Sequence, residues 1–217
     1  MESVLSDSRM SLHPQTILFA QHGMTDLSGC QTISRLAYAL DLKDTLVVAP
    51  ELHWVRTLFY LEPLIQSVQA VVLETLSKYP DVPIRIIATS MGGVLWVELL
   101  DRHSEWWSRV HSLVLLGSPI GGSHIARKVD PYGWGIGIAR DLAIDRSAIA
   151  HRIAAEIPTL VIASDCGKGD DGVVTVESTV VRGAEFACIS GVSHSDLRCH
   201  SAVMREIWKF WQELEAR

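Results

Sequence analysis

The chain has no cluster of Lys and Arg. With 19 basic against 25 acidic residues its net charge is −6. A nucleic-acid partner is thereby disfavoured, because binding phosphates requires a concentrated basic surface. No apolar run approaches the length needed to span a bilayer. The first ten residues, Met1 to Met10, carry Glu2 and Asp7 among serines, which is not the pattern of a secretory leader. Four cysteines, Cys30, Cys166, Cys188 and Cys199, are too few and too scattered for a disulfide framework and lack zinc-type spacing. Free thiols in a reducing compartment are expected, hence a cytoplasmic protein without an integral membrane segment.

What remains is a chain of 217 residues, 48% hydrophobic and 20% charged, with the length and composition of one globular domain. Short apolar runs alternate with helical patterns. The runs read as strands over Thr16–Gln21, Thr45–Ala49, Ile84–Thr89, Ser112–Leu116, Thr159–Ala163 and Glu185–Ile189. Helices are expected over Gln31–Asp41, Glu62–Lys78, Gly93–Arg102, Ser147–Ala155 and Ala202–Ala216; in the last, Val203, Ile207, Phe210, Trp211 and Leu214 recur at helical spacing. Near-continuous apolarity in the strands predicts burial on both faces. Alternation predicts an α/β domain with a mostly parallel sheet of about six strands and helices on both faces. The longer connection, residues 121–158, is long enough to act as a small cap.

In such sheets, sites form beyond the carboxyl ends of the strands. Four of those ends carry reactive groups. The first is followed by His22-Gly23-Met24. The third ends in Ala88-Thr89-Ser90-Met91-Gly92-Gly93, the layout of a strand turning sharply into a helix. The plainer alternative is a serine that merely caps the helix. The fifth strand is followed by Asp165, Asp170 and Asp171, and the sixth by Gly191-Val192-Ser193-His194.

Together these motifs resemble the α/β-hydrolase superfamily, in particular its small lipase and esterase-like members. The family's Gly-x-Ser-x-Gly elbow appears here with Ala88 at its head, as in a group of small bacterial lipases. His22-Gly23 is similar to the family's His-Gly loop, Asp171-Gly172-Val173-Val174 to its acid loop, and Gly117-Ser118-Pro119 to its Gly-Thr-Pro turn. The resemblance implies a serine hydrolase acting on a carboxylic ester, with Ser90 as nucleophile, His194 as base and Asp171 as acid. Asp170 is the alternative acid, and Asp165 is a loop-forming residue. Met91 and Met24 would supply oxyanion N–H groups, and His22 and Gly23 would support that loop. No cofactor and no metal are implied, and the partner is a small-molecule or lipid-like ester. A thioesterase, an acyltransferase or a non-catalytic binding protein on the same frame are the alternatives.

The other histidines carry no motif. His53, His103, His111, His124 and His151 read as surface or satisfied residues, and Cys199-His200 is a weak metal pattern. Trp134, Ile136 and Ile138 either line an acyl pocket or pack the cap. Trp54, Phe59 and Tyr60 lie beyond the second strand, where burial is the default expectation.

Overall fold

In the computed structural model, residues 13–24, 29–40, 42–52, 60–123 and 137–217 are described. Six strands form one sheet: β1 Thr16–Gln21, β2 Thr45–Val48, β3 Ile84–Thr89, β4 Val110–Leu116, β5 Thr159–Asp165 and β6 Glu185–Ser190. All neighbours are parallel, in the order β2-β1-β3-β4-β5-β6. Among the described residues, five helices of ten or more residues connect or follow them: α1 Gly29–Ala39, α2 Leu61–Lys78, α3 Met91–Arg102, α4 Ser147–Glu156 and α5 Ser201–Glu215. Among the described residues no helix is long and apolar enough to cross a membrane. Cys166, Cys188 and Cys199 are free thiols; the Cys30 side chain lies outside the described part.

Successive strand residues point to opposite faces, so an apolar strand feeds two cores at once. On one face Ile17, Phe19, Ile86, Ala88, Leu113 and Leu115 pack against α2, α3 and α4. On the other Leu18, Ala20, Ile87, Val114, Leu116 and Ile162 pack against α1 and α5. Helix α3 is buried almost all round, through Val94, Leu95, Trp96, Val97, Leu99 and Leu100, which explains its lack of a polar stripe. Helix α5 is the opposite case. It buries only Val203, Ile207, Phe210 and Trp211, and its start is capped by His200, whose ring accepts from Ala202 N–H.

The expected burial on both faces fails at the two edge strands: β2 is only half-buried along its length, and β6 is the more exposed. That strand closes the sheet edge, and Glu185, Phe186, Cys188 and Ser190 are exposed. Its apolar run is therefore covered on one side at most. Tyr60 also departs from the burial expected of it, at 59% exposed just ahead of α2. Trp54, Phe59, Trp134 and Ile136 lie outside the described residues, as do His53 and His124. Ile138 belongs to the core against α2, α3 and α4. From Ile138 onward the 121–158 connection packs into the helical layer. Arg146 holds it there through an ion pair with Glu98 on α3 at 2.6 Å and a bond to the Asp141 carbonyl.

The sheet's order carries the functional consequence. From β1 the chain moves outward to β2, then crosses back to β3 on the other side of β1. A crevice opens where the winding reverses, above the carboxyl ends of β1 and β3. Those ends carry His22-Gly23 and Ser90.

Trp211 fastens the distal end of the fold. It is fully buried, donates from Nε1 to Ser112 Oγ at 2.9 Å, and lies under the Arg85 guanidinium at 4.6 Å. Trp211→Ala should lower the unfolding free energy by about 3–5 kcal/mol, as for large aromatic truncations, measured by urea denaturation; a loss under about 1 kcal/mol would contradict this packing role.

Candidate active site

Ser90 stands between β3 and α3 with φ 55° and ψ −128°. A non-glycine residue at positive φ is strained by about 1–3 kcal/mol and persists only where its surroundings fix it. Here its N–H is bonded to Leu116 O at 2.9 Å and its carbonyl accepts from Gly93 N–H at 3.0 Å. The side chain makes no capping hydrogen bond, so the helix-cap alternative is set aside. Among the described residues the hydroxyl has no hydrogen-bond partner and faces a cavity of about 350 Å³ that His194, Gly23, Met24, Val173 and Arg198 also border.

The loop after β1 presses directly on the serine. A Cβ on Gly23 would fall 2.8 Å from Ser90 Cβ, so only glycine lets the two strand ends approach this closely. His22 holds the loop from behind. Its ring is fully buried, accepts from Leu52 N–H at Nε2 (3.1 Å), and therefore carries its proton on Nδ1, which donates to Gly23 O at 2.9 Å. Burial pushes the His22 pKa below its ordinary value of 6.5; the Gly23 carbonyl and the nearby Glu51 carboxylate oppose this less strongly. The buried ring stays neutral and acts as a cross-brace. Met24 follows at the cavity rim, 37% exposed. Met91 is the first residue of α3, and its N–H lies in the first turn, where helices have no internal acceptor.

His194 and Asp171 meet on the far side. His194 Nδ1 donates to Asp171 Oδ2 at 2.6 Å, and His194 N–H donates to Asp171 O at 3.0 Å. A carboxylate only accepts, so the proton sits on Nδ1 and Nε2 keeps its lone pair. Oδ1 of Asp171 accepts from Val173 N–H and Val174 N–H at 3.0 and 2.7 Å. The buried carboxylate is thus fixed by its own loop as well as by the ring. Asp170 is turned away and accepts from Gly172 N–H instead. Asp165 organises the loop, its Oδ1 accepting from the N–H groups of Gly167, Lys168 and Gly169. Those bonds to the ionised form, from Gly167 above all, hold its pKa below the ordinary range.

Gly117 explains why the end of β4 matters. It has φ +51°, and a Cβ there would fall 3.0 Å from Asp171 Oδ2 and 3.2 Å from His194 Nδ1. The pair occupies the space a side chain would fill. The remaining histidines stand elsewhere. His103 stacks on Trp106 at 3.9 Å, His151 bonds to Arg182 O, and His111 is half-buried on β4. Among the described residues no group of three potential ligands could hold a metal.

One cavity residue was not singled out by motif. Arg198 lies one helical turn beyond His194, in the short 3₁₀ turn Asp196–Arg198, and its Nε donates to Ser195 O at 3.2 Å. Its spacing of four from His194 is the only sequence signal for it.

No protein-family model matches the chain, and no curated protein matches it in sequence. Solved structures do match in shape. The mature lipase BlEst2 of Bacillus licheniformis is 15% identical with a TM-score of 0.66, over 95% of this chain and 94% of that one. The lipase-esterase related protein of Clostridium acetobutylicum is 16% identical with a TM-score of 0.63, over 92% and 95%. Est1E of Butyrivibrio proteoclasticus is 14% identical with a TM-score of 0.65, over 94% and 90%. With the all-parallel six-stranded sheet, these likenesses establish that the chain has the α/β-hydrolase fold.

Proposed function

We propose that this protein is a serine hydrolase that cleaves carboxylic esters through an acyl-serine intermediate. The observation that carries the reading is the strained, uncapped Ser90 opening onto the same cavity as a His194 ring whose tautomer is fixed by buried Asp171. Two of the structural neighbours named above, described as a lipase and as a lipase-esterase related protein, support it.

A serine hydroxyl is a weak nucleophile until a base takes its proton during attack. Nε2 of His194 is the group able to do so, and Asp171 stabilises the imidazolium that results. In the first half-reaction Ser90 Oγ bonds to the ester carbon, the imidazolium passes its proton to the alkoxide leaving group, and the alcohol departs. In the second, water attacks the acyl-serine, gives its proton to His194, and releases the carboxylic acid while Ser90 regains its hydrogen. The Ser90 hydroxyl has no hydrogen bond to His194 before substrate is present; in this reading that bond forms as substrate arrives, as catalytic hydrogen bonds often do.

The carbonyl oxygen becomes negative in each half-reaction and needs donors already aimed at it. The N–H groups of Met91 and Met24 serve that purpose in this reading. The His22 brace and the close contact of Gly23 with Ser90 keep the second donor in place.

Three outcomes follow. A fluorophosphonate probe should label the wild type and not Ser90→Ala, and Ser90→Ala should lower ester turnover by about a million-fold; folded wild type that stays unlabelled would leave a binding protein as the better reading. Asp171→Asn should lower kcat by about ten-thousand-fold, whereas Asp170→Asn should change it by less than about tenfold, since that carboxylate bonds only its own turn; the reverse order in steady-state kinetics would reassign the acid. The depressed pKa of His22 also sets a pH dependence. The unfolded chain protonates this ring near 6.5 and the folded chain only lower. Its contribution to stability is therefore complete above that value and is lost as pH falls from it toward the folded pKa. Urea titrations from about pH 7.5 to 5 should show a steeper loss in wild type than in His22→Gln; equal slopes would mean that the ring is not held neutral.

A further inference from the structure

We propose that Ser195 is a specificity residue that accepts a hydrogen bond from a hydroxyl on the alcohol portion of the substrate, so that the favoured esters are those of alcohols carrying a second hydroxyl group. The inference rests on the serine-hydrolase reading of the same cavity.

Hydrogen counting fixes the polarity of this side chain. Ser193 and Ser195 flank His194, and both border the cavity. Asp196 Oδ2 lies 2.5 Å from Ser193 Oγ. An ionised carboxylate only accepts, so the single hydrogen of the Ser193 hydroxyl is committed to Asp196. Both lone pairs of Ser193 Oγ are engaged as well. One accepts from Asp196 N–H at 3.3 Å, and the other meets Ser195 Oγ at 3.0 Å. Ser193 has no hydrogen left to offer, so it is the acceptor in that last contact and Ser195 is the donor. The only hydrogen of the exposed Ser195 hydroxyl is thereby held within the turn, and its two lone pairs remain for a ligand. At this hydroxyl the cavity wall offers an acceptor and no donor. The Asp196 charge at the end of the chain of bonds polarises it further in that sense.

The turn that carries this oxygen is well held. Ser193 O accepts from Asp196 N–H and Leu197 N–H at 3.0 and 3.2 Å, Ser195 O accepts from Arg198 Nε at 3.2 Å, and Leu197 is fully buried. Ser195 also directly follows the base. In the first half-reaction His194 Nε2 gives its proton to the leaving oxygen of the ester. The substituent on that oxygen is thereby brought to the wall that His194 and Ser195 share. A hydroxyl on the substituent finds an acceptor there. An ether oxygen or a carboxylate in the same place sets lone pairs against lone pairs. A neutral donor suits the site better than an ammonium group, because His194 becomes an imidazolium in each half-reaction and a second cation beside it opposes that charge.

The test uses the full chain and butyrate esters that differ only in the alcohol: 2-hydroxyethyl, 2-methoxyethyl, propyl and 2-(dimethylammonio)ethyl. Butyrate release is measured and normalised to uncatalysed hydrolysis. The methoxyethyl ester keeps the oxygen and removes the donor. The propyl ester puts a methyl of similar size in place of the hydroxyl, and the ammonium ester carries a charged donor. Wild type should favour the hydroxyethyl ester over each of the others by about 3- to 10-fold in kcat/KM, the range of one neutral hydrogen bond. In Ser195→Ala the hydroxyethyl-to-propyl ratio should fall to about one; in Ser195→Thr, which keeps a hydroxyl, it should stay above the Ser195→Ala value. Ser193→Ala releases the Ser195 hydrogen, so there the methoxyethyl ester should gain on the propyl ester by about twofold or more relative to wild type. Wild type that hydrolyses the esters without favouring the hydroxyethyl one, or that favours the ammonium ester, overturns the proposal while leaving the hydrolase reading intact. A preference that survives Ser195→Ala unchanged, or a methoxyethyl ester that gains nothing in Ser193→Ala, also overturns it. Wild type that turns over none of the esters and escapes fluorophosphonate labelling overturns both.

Discussion

The structure hangs on the conformation of Ser90. Its positive φ is unfavourable for any residue with a Cβ, and the chain holds it by fixing both sides of the peptide. β3 is paired between β1 and β4, the Ser90 N–H is tied to Leu116, and α3 begins at once with Met91. A serine in a relaxed cap would turn its hydroxyl back onto the helix. Held in this way, the hydroxyl stands above the sheet where the winding reverses.

The other parts of the site are placed by the same sheet. Each reactive group sits just past the carboxyl end of a different parallel strand, so the strand register sets their mutual positions. His22 and Gly23 follow β1, Ser90 follows β3, Gly117 follows β4, Asp171 follows β5 and His194 follows β6. The weakest link is β6, an exposed edge strand paired on one side only. The loop beyond it is secured by local bonds instead: His194 N–H to Asp171 O, Gly191 N–H to Asp165 O, and the Ser164 hydroxyl to Val192 O. Helix α5, pinned through Trp211, then closes over β5 and β6.

Much of this was legible in the residues. The apolar runs marked all six strands to within two residues at their ends, because the central strands are buried on both faces and so must be apolar throughout, and the edge strands still carry mostly apolar residues. The five longer helices were marked similarly by their spacing. Exposure of β6 was not legible, since an edge strand covered on one face carries the same residue types as a central one. Between Asp170 and Asp171 the sequence offered only spacing. The structure separates them because adjacent residues in the loop point different ways, one to its own turn and one to His194. Arg198 went unnoticed because a single basic residue near a histidine has no motif, and only the tertiary structure puts it on the cavity wall.

Sequence alone thus determined the parallel α/β architecture and the order of the reactive groups along the chain, because hydrophobic periodicity and glycine-lined turns are local properties. Only the tertiary structure decided that Ser90 is strained rather than capping, which aspartate faces His194, and that Arg198 borders the cavity. Those are matters of distance between residues as far apart as 23 and 90 or 171 and 194, and such distances exist only once the sheet has brought the strand ends together.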